Sequence, residues 1–250
     1  MQAIDPYAVK KVVTRNQFKL SKPEGKKKGY LIGGFNLSPH EESVPFGGRN
    51  MCPMAGHCQF HCLKKSGMNQ MTTHELARIR KTLLWLQDPD EFMRRAEKEI
   101  ASLVRKAERE ALIPCFRSNL LSDDTELARR VAELFPELVQ YDYTKLRKPW
   151  KKVTPTYHLT YSLDVGEDRE EHALECFEHG INVAVVLDIG KDSPMPKTFT
   201  LLGNTRRMID GDKHDLRFLD PVGVFVGLRG KKITGGTAEA IDSGFYRAAA

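Results

Sequence analysis

Three cysteines lie within eleven residues, in the segment NMCPMAGHCQFHC that contains Cys52, Cys58 and Cys62. This C-x5-C-x3-C spacing lets three thiols converge on one centre if the loop wraps around it. Thiolates are soft ligands that suit zinc or iron–sulfur clusters. The spacing therefore predicts one three-thiolate metal site, which we expect at the mouth of an α/β domain.

The metal itself has three interpretations. A four-iron (4Fe-4S) cluster normally takes four cysteine ligands, so three would leave one iron for a substrate, a cofactor or another side chain. Zinc is the alternative, with His57 or His61 completing a Cys3His set, although zinc sites usually pair two distant knuckles and the sequence has only one. The third interpretation is buried or redox-active cysteines without metal. The isolated Cys115 and Cys176 are predicted to be small buried apolar side chains.

The cysteine count and the apolar runs bear on the compartment. Five cysteines without a leader-like N-terminus argue against a secreted disulfide scaffold. The longest apolar run, residues 181–187, is the length of a strand and too short for a membrane span. We therefore expect a cytoplasmic protein with reduced thiols and no membrane association.

The net charge of +6 permits an anionic partner such as nucleic acid or a nucleotide. The basic residues cluster, and the clusters have two interpretations, a phosphate-facing rim or ordinary solvated loops. They are Lys22, Lys26, Lys27 and Lys28 near the N-terminus, and Lys145, Arg147, Lys148, Lys151 and Lys152 around Trp150.

Strands alternate with helices along the chain, which is typical of parallel βαβ units. The sequence predicts about seven strands and at least four helices, in a full or partial (β/α) barrel over residues 29–232 with the cysteine loop after its first strand. A basic arm is expected at residues 1–28 and a polar tail at residues 233–250.

Polar residues end several predicted strands, where chemistry gathers in such folds. Arg117 and Asn119 follow the second strand, with Ser122 and Asp123 close behind, and Tyr143 and Lys145 follow the third. We predict catalytic roles for Arg117, Asn119, Tyr143 and Lys145, and cofactor binding by Arg117, Asn119 and Ser162. The acidic segment at residues 210–217 is either a loop for a hard metal or a charged turn.

Several motifs resemble one family in order. The phage gene product 88 family, found in phages and mobile elements, is similar to this chain over about residues 29–232. The motifs are KKGYLIGGFNLSP, NMCPMAGHCQFHC, RKTLLWLQDPDEFM, LFPELVQYDYTK, YHLTYS and IDGDKHDLRFLDPVGVFVGLRGK.

The order of strand, three-cysteine loop and alternating helices also resembles the radical S-adenosylmethionine enzymes. That resemblance implies a four-iron cluster whose free iron binds S-adenosylmethionine, in an enzyme acting on an unidentified small molecule or nucleotide. The chain departs from the family in its cysteine spacing, which is usually C-x3-C-x2-C, and in having RSNLLSD where Gly-Gly-Glu is usual. The alternative function is a zinc-stabilised phage accessory protein that binds nucleic acid.

Overall fold

The computed structural model describes residues 4–15, 28–232 and 237–249. The chain divides into two compact units, the first formed by Met1–Pro53 with Gly67–Asp142 and the second by Met54–Ser66 with Tyr143–Ala250. Three residues of the predicted basic clusters, Lys22, Lys26 and Lys27, lie outside the described residues.

The described residues form nine strands, five α-helices and several short 3-10 turns. The helices are α1 (Thr72–Gln87), α2 (Pro89–Arg109), α3 (Thr125–Leu134), α4 (Glu167–Glu178) and α5 (Thr237–Asp242). The strands are β1 (Val13–Thr14), β2 (Tyr30–Phe35), β3 (Ile113–Arg117), β4 (Val139–Thr144), β5 (Tyr157–Ser162), β6 (Asn182–Leu187), β7 (Thr198–Leu201), β8 (Asn204–Asp210) and β9 (Phe225–Arg229). None of the helices in these ranges has the length and apolar character that crossing a bilayer requires.

The strands of each unit pair mainly in parallel, as the alternation predicts. In the first unit the order is β1-β2-β3-β4, with β1 antiparallel to β2 and the remaining pairs parallel. In the second unit the order is β5-β6-β9-β8-β7, with only the β7–β8 hairpin antiparallel. The predicted α/β class is therefore confirmed.

The prediction of a full barrel is wrong. A closed barrel gives every strand two neighbours, because closure removes both edges of the sheet. Among the described residues, β1 pairs only with β2, and β7 pairs only with β8. Both strands are therefore edges of open sheets.

Aromatic packing forms the core of the first unit. Phe35 of β2 lies edge-on to Phe92 of α2 and Phe116 of β3, with ring centroids 5.1 and 4.8 Å apart. The helix comes close to the strand at Gly33, where a Cβ atom would lie only 2.8 Å from the Leu103 side chain. The glycine in this strand therefore permits the close helix–strand approach that the sequence indicates.

Part of the predicted N-terminal arm packs into the first unit. Val12 and Val13 are buried. Their backbone N–H groups donate to the two carboxylate oxygens of Glu99 on α2, at 3.1 and 3.0 Å. The sequence gives little indication of this packing, because the segment is mostly polar and its strand, β1, contains only two residues.

Phe225 of β9 lies at the centre of the second unit's core. It contacts Phe177 of α4 and Phe199 of β7 edge-on, with centroids 4.9 and 5.0 Å apart. Val183 and Ala184 of β6 are also buried, and as neighbours on a strand they point to opposite faces of the sheet. This agrees with the apolar run, which predicts a strand covered on both faces.

Candidate metal centre

The first cysteine of the loop, Cys52, is held within the first unit. Its backbone N–H donates to Asn50 Oδ1 at 2.8 Å, and its Sγ lies 3.5 Å from the carbonyl oxygen of Leu121. The N–H of Asp123 donates to the carbonyl of the preceding Met51 at 2.9 Å. The loop between β3 and α3 therefore fixes both the backbone and the thiol of Cys52.

Asn119 organises this β3–α3 loop from inside. Its side-chain amide donates to Asp142 Oδ2 at 3.2 Å and to the carbonyl of Asp124 at 3.0 Å. Its Oδ1 accepts from the Ser122 hydroxyl at 2.9 Å and from the N–H of Asp124 at 2.8 Å. Asn119, predicted to be catalytic, thus makes four side-chain hydrogen bonds that hold the loop supporting Cys52.

Arg117 is also buried in the first unit. Its Nη2 lies 3.4 Å from the carbonyl of Asn119, and its guanidinium sits 5.7 Å from the ring centroid of Tyr141. Arg117 and Asn119, both predicted site residues, therefore contact each other inside the first unit. The guanidinium of Arg117 and the side-chain amide of Asn119 lie inside the protein, since the two residues are only 4% and 3% exposed.

The other two cysteines, Cys58 and Cys62, belong to the second unit, where Asp164 anchors their segment. The backbone N–H groups of Gly56, His57 and Cys58 donate to its carboxylate at 3.2, 3.0 and 3.5 Å. Asp164 follows β5, and its side chain is fully buried. Sequence reasoning missed it, although an acidic residue just beyond a strand is the kind of signal that drew attention to other strand ends.

Lys145 neutralises Asp164. Its Nζ lies 3.4 Å from Asp164 Oδ2 and donates to the hydroxyl and carbonyl oxygens of Ser162 at 3.2 and 2.9 Å. Burial by itself would raise the pKa of Asp164, but Lys145 and the N–H groups of Val165 and Cys58 outweigh it, so the pKa is lowered. The structure thus brings together Lys145 and Ser162, two of the predicted site residues. Tyr143, predicted beside them, is half-buried.

The two histidines of the loop differ in exposure. His57 begins a short 3-10 turn and is half-buried. His61 is buried, and its ring stacks on Phe245 with centroids 5.4 Å apart. Phe245 and Tyr246 also pack against Cys58. The predicted polar tail therefore contributes an aromatic cover to the cysteine segment, which its composition did not indicate.

The five cysteines fall into two classes by burial. Cys52, Cys58 and Cys62 are partly exposed, whereas Cys115 and Cys176 have no exposed surface, as the sequence predicts. Burial, with Glu175 nearby, raises the pKa of Cys176 to about 12.

This difference predicts selective alkylation. In the folded, metal-free protein at neutral pH, iodoacetamide should modify the three loop cysteines and leave Cys115 and Cys176 intact. A pKa of about 12 leaves roughly a thousandfold less thiolate than an ordinary cysteine has, and only the thiolate is nucleophilic. Peptide mass spectrometry measures each site. Labelling of Cys176 at the rate of Cys58 in folded protein would contradict the assignment.

The donor types of the loop suit a soft metal, but the side chains are not pre-arranged around a point. Among the described residues, no group of three or more histidine, cysteine, aspartate or glutamate side chains is arranged to hold a metal ion. Cys52 and the other two thiols also fall in different units. A metal site in this loop is therefore a proposal from chemistry and spacing.

Two of the three aspartates in the acidic segment at residues 210–217 pair with one arginine. Arg229 pairs with both oxygens of Asp210, at 2.9 and 3.0 Å, and its Nη1 lies 3.2 Å from Asp212 Oδ2. Arg217 lies 3.2 Å from Asp220. These contacts favour the interpretation as a charged turn over a hard-metal loop.

The basic cluster around Trp150 is only partly exposed. Lys145 is buried against Asp164, and Arg147 pairs with Asp168. Neither interpretation of the cluster, a phosphate-facing rim or a solvated loop, describes Lys145, because its ammonium group points to internal acceptors. Lys148, Lys151 and Lys152 are exposed.

The comparisons with known proteins yield one match. Residues 11–249 match the family described as Gene product 88. No curated protein and no solved structure matches the sequence. The comparisons thus confirm the first resemblance found in the sequence and give no support to the resemblance to radical S-adenosylmethionine enzymes.

Proposed function

The chain belongs to the phage gene product 88 family, and on that premise we propose that it is an iron–sulfur protein whose cluster is held by Cys52, Cys58 and Cys62. One observation carries the proposal. The loop cysteines are the ones with exposed surface, while Cys115 and Cys176 are fully buried. Exposed, closely spaced thiols in a reducing compartment are typical of metal ligands.

The support around the loop agrees with this function. Metal ligands need a backbone that is held in place by surrounding hydrogen bonds. Cys52 has such support from the β3–α3 loop, and Cys58 has it from Asp164. The contacts at Cys58 involve its backbone and leave its sulfur atom to bind iron. At Cys52 the backbone bond to Asn50 would remain, whereas iron would replace the contact between the thiol and the Leu121 carbonyl.

Three thiolates leave one iron of a four-iron cluster to be completed by another ligand. The local candidates are His57, which is half-buried, and His61, which is stacked on Phe245. The external candidates are S-adenosylmethionine and an atom of the substrate. If S-adenosylmethionine binds, the protein is a radical enzyme acting on a small molecule or nucleotide. Of the residues predicted to bind or orient the ligands, Tyr143 and Ser162 are half-buried and would make direct contact. Arg117, Asn119 and Lys145 are buried and would act by orienting the site from within.

Anaerobic purification followed by metal and sulfide analysis tests the proposal. We expect brown protein with about four iron and four sulfide ions per chain, the stoichiometry of a four-iron cluster. Serine at any of the three loop cysteines should abolish or strongly reduce both. Cys176→Ala is the matched control and should retain them, because this thiol is buried in the second unit's core.

Stoichiometric zinc without sulfide would contradict the iron–sulfur proposal and favour the zinc alternative. Where a cluster is present, electron paramagnetic resonance of the reduced protein identifies the remaining ligand. A spectrum that shifts with S-adenosylmethionine supports the radical enzyme. A spectrum that changes only in His57→Ala or His61→Ala supports a ligand from within the loop.

A further inference from the structure

Three consecutive backbone N–H groups of the cysteine loop converge on one carboxylate. The donors are Gly56, His57 and Cys58, and the acceptor is Asp164. Successive N–H groups that point to one side form an anion-binding concavity. In this loop the anion is a side chain of the protein itself, so the concavity is filled from within.

The Asp164 carboxylate is packed closely between the cysteine loop and Lys145. A Cβ atom at Gly56 would lie 3.1 Å from Asp164 Oδ2, so a larger residue would press on the carboxylate. The same oxygen lies 3.4 Å from Lys145 Nζ, and Oδ1 also accepts from the N–H of Val165 at 2.8 Å. Asp164 is therefore fixed on one side by Lys145 and the strand end, and it holds the loop on the other.

We propose that Asp164 is the positioning residue for the second half of the cysteine loop, setting the accessibility of Cys58 and Cys62 without acting on Cys52. The proposal deepens the iron–sulfur proposal and rests on it for the role of the thiols as ligands. Cys52 has its own support from Asn50 and Leu121 in the first unit. The two parts of the loop are thus held by separate sets of contacts.

The test measures the alkylation rate of each cysteine in metal-free, reduced Asp164→Asn protein. The asparagine keeps the size of the side chain but removes the charge and one acceptor oxygen. The variant loses roughly one charge-assisted hydrogen bond, so the loop should open about tenfold more often. The alkylation rates of Cys58 and Cys62 should therefore rise about tenfold. The rate at Cys52 should change less than about twofold, because sites with no shared partners behave independently.

Two further variants make the result specific. Gly56→Ala should reproduce the effect by pushing on the carboxylate from the loop side. It also serves as the second test if Asp164→Asn fails to fold. Asp168→Asn is the matched control, since the side chain of Asp168 is 65% exposed and pairs with Arg147, and it should leave all three rates unchanged.

An equal rise at all three cysteines, or no rise at Cys58 in folded variants, would overturn the proposal. The alkylation measurement needs no metal, so it remains decisive even if the wild-type protein contains neither iron nor sulfide. In protein with a reconstituted cluster, Asp164→Asn should also alter the electron paramagnetic resonance spectrum, which a purely global loss of stability would not do.

Discussion

Replacing Lys145 with methionine is expected to lower the free energy of unfolding by about 3–5 kcal/mol. Methionine keeps most of the length of the side chain, so the change removes mainly the charge and the hydrogen bonds. Asp164 is left with a buried negative charge, deprived of the ammonium group 3.4 Å away. Breaking a buried ion pair from one side costs this much because the remaining charge stays desolvated. Urea unfolding measures the loss.

The matched control is Lys148→Met, at an exposed lysine three residues along the chain. It should leave the unfolding midpoint almost unchanged. The double variant K145M/D164N should recover part of the lost stability, because it removes the stranded charge as well. If K145M is as stable as the wild type, Lys145 and Asp164 do not form a buried ion pair.

Arg78→Met is expected to cost a similar amount, about 3–5 kcal/mol, within the first unit. Arg78 on α1 makes a bidentate pair with Glu42, through Nε at 2.9 Å and Nη2 at 2.7 Å. Its Nη1 also donates to the carbonyl of Asn69 at 2.8 Å. The two paired side chains are only 2% and 3% exposed, so water screens little of the interaction.

Two companion variants sharpen this measurement. Arg78→Lys should cost less than Arg78→Met, because the lysine keeps a positive charge beside Glu42. It should still be destabilising, because an ammonium group cannot make the planar, two-point contact of a guanidinium. Arg94→Met removes an exposed pair with Glu91 on the surface of α2 and should have little effect. A small effect of Arg78→Met, similar to that of Arg94→Met, would contradict the assignment of a buried ion pair.

Much of the secondary structure follows from apolar periodicity. Ile79 and Leu83 stand four residues apart, the spacing of one helix face, and both are buried in α1. Asp88, the residue before Pro89, follows the end of α1 and caps α2 by accepting from the N–H of Glu91. These elements are predictable because burial of one face imposes a repeat on the sequence. The full barrel is not predictable in the same way, because alternation of strands and helices is shared by closed and open sheets.

The hairpin of β7 and β8 shows where local patterns fail. Its turn consists of Leu202 and Gly203, both with positive φ angles, of 47° and 76°. Such two-residue turns are usually marked by Asn-Gly or Asp-Gly, because leucine seldom adopts the left-handed conformation. Without that mark, the sequence gives no indication of β8, and its last residue, Asp210, is assigned to the charged segment at residues 210–217.

The candidate site is predictable only in part. Cysteine spacing indicates the thiols, since few functions need three cysteines so close together. The position of Asp164 just beyond a strand marks it only as one polar strand end among several. Its role could not be predicted, because its partners are backbone N–H groups, which have no signature in the sequence. Lys145 is noticed as a polar residue at a strand end, but its burial depends on Asp164 and Ser162, which lie close to it only after folding.

The hydrogen bonds between Asp164 and main-chain N–H groups also bear on which substitutions the loop can accept. A backbone N–H is present whatever side chain a residue carries, proline excepted. Substitutions at His57, or at the exposed Phe60, therefore leave these hydrogen bonds in place. Gly56 and Asp164 are constrained, because the Gly56 backbone lies close to the Asp164 carboxylate. The side chains displayed on the loop can therefore be exchanged while the support beneath the loop stays the same.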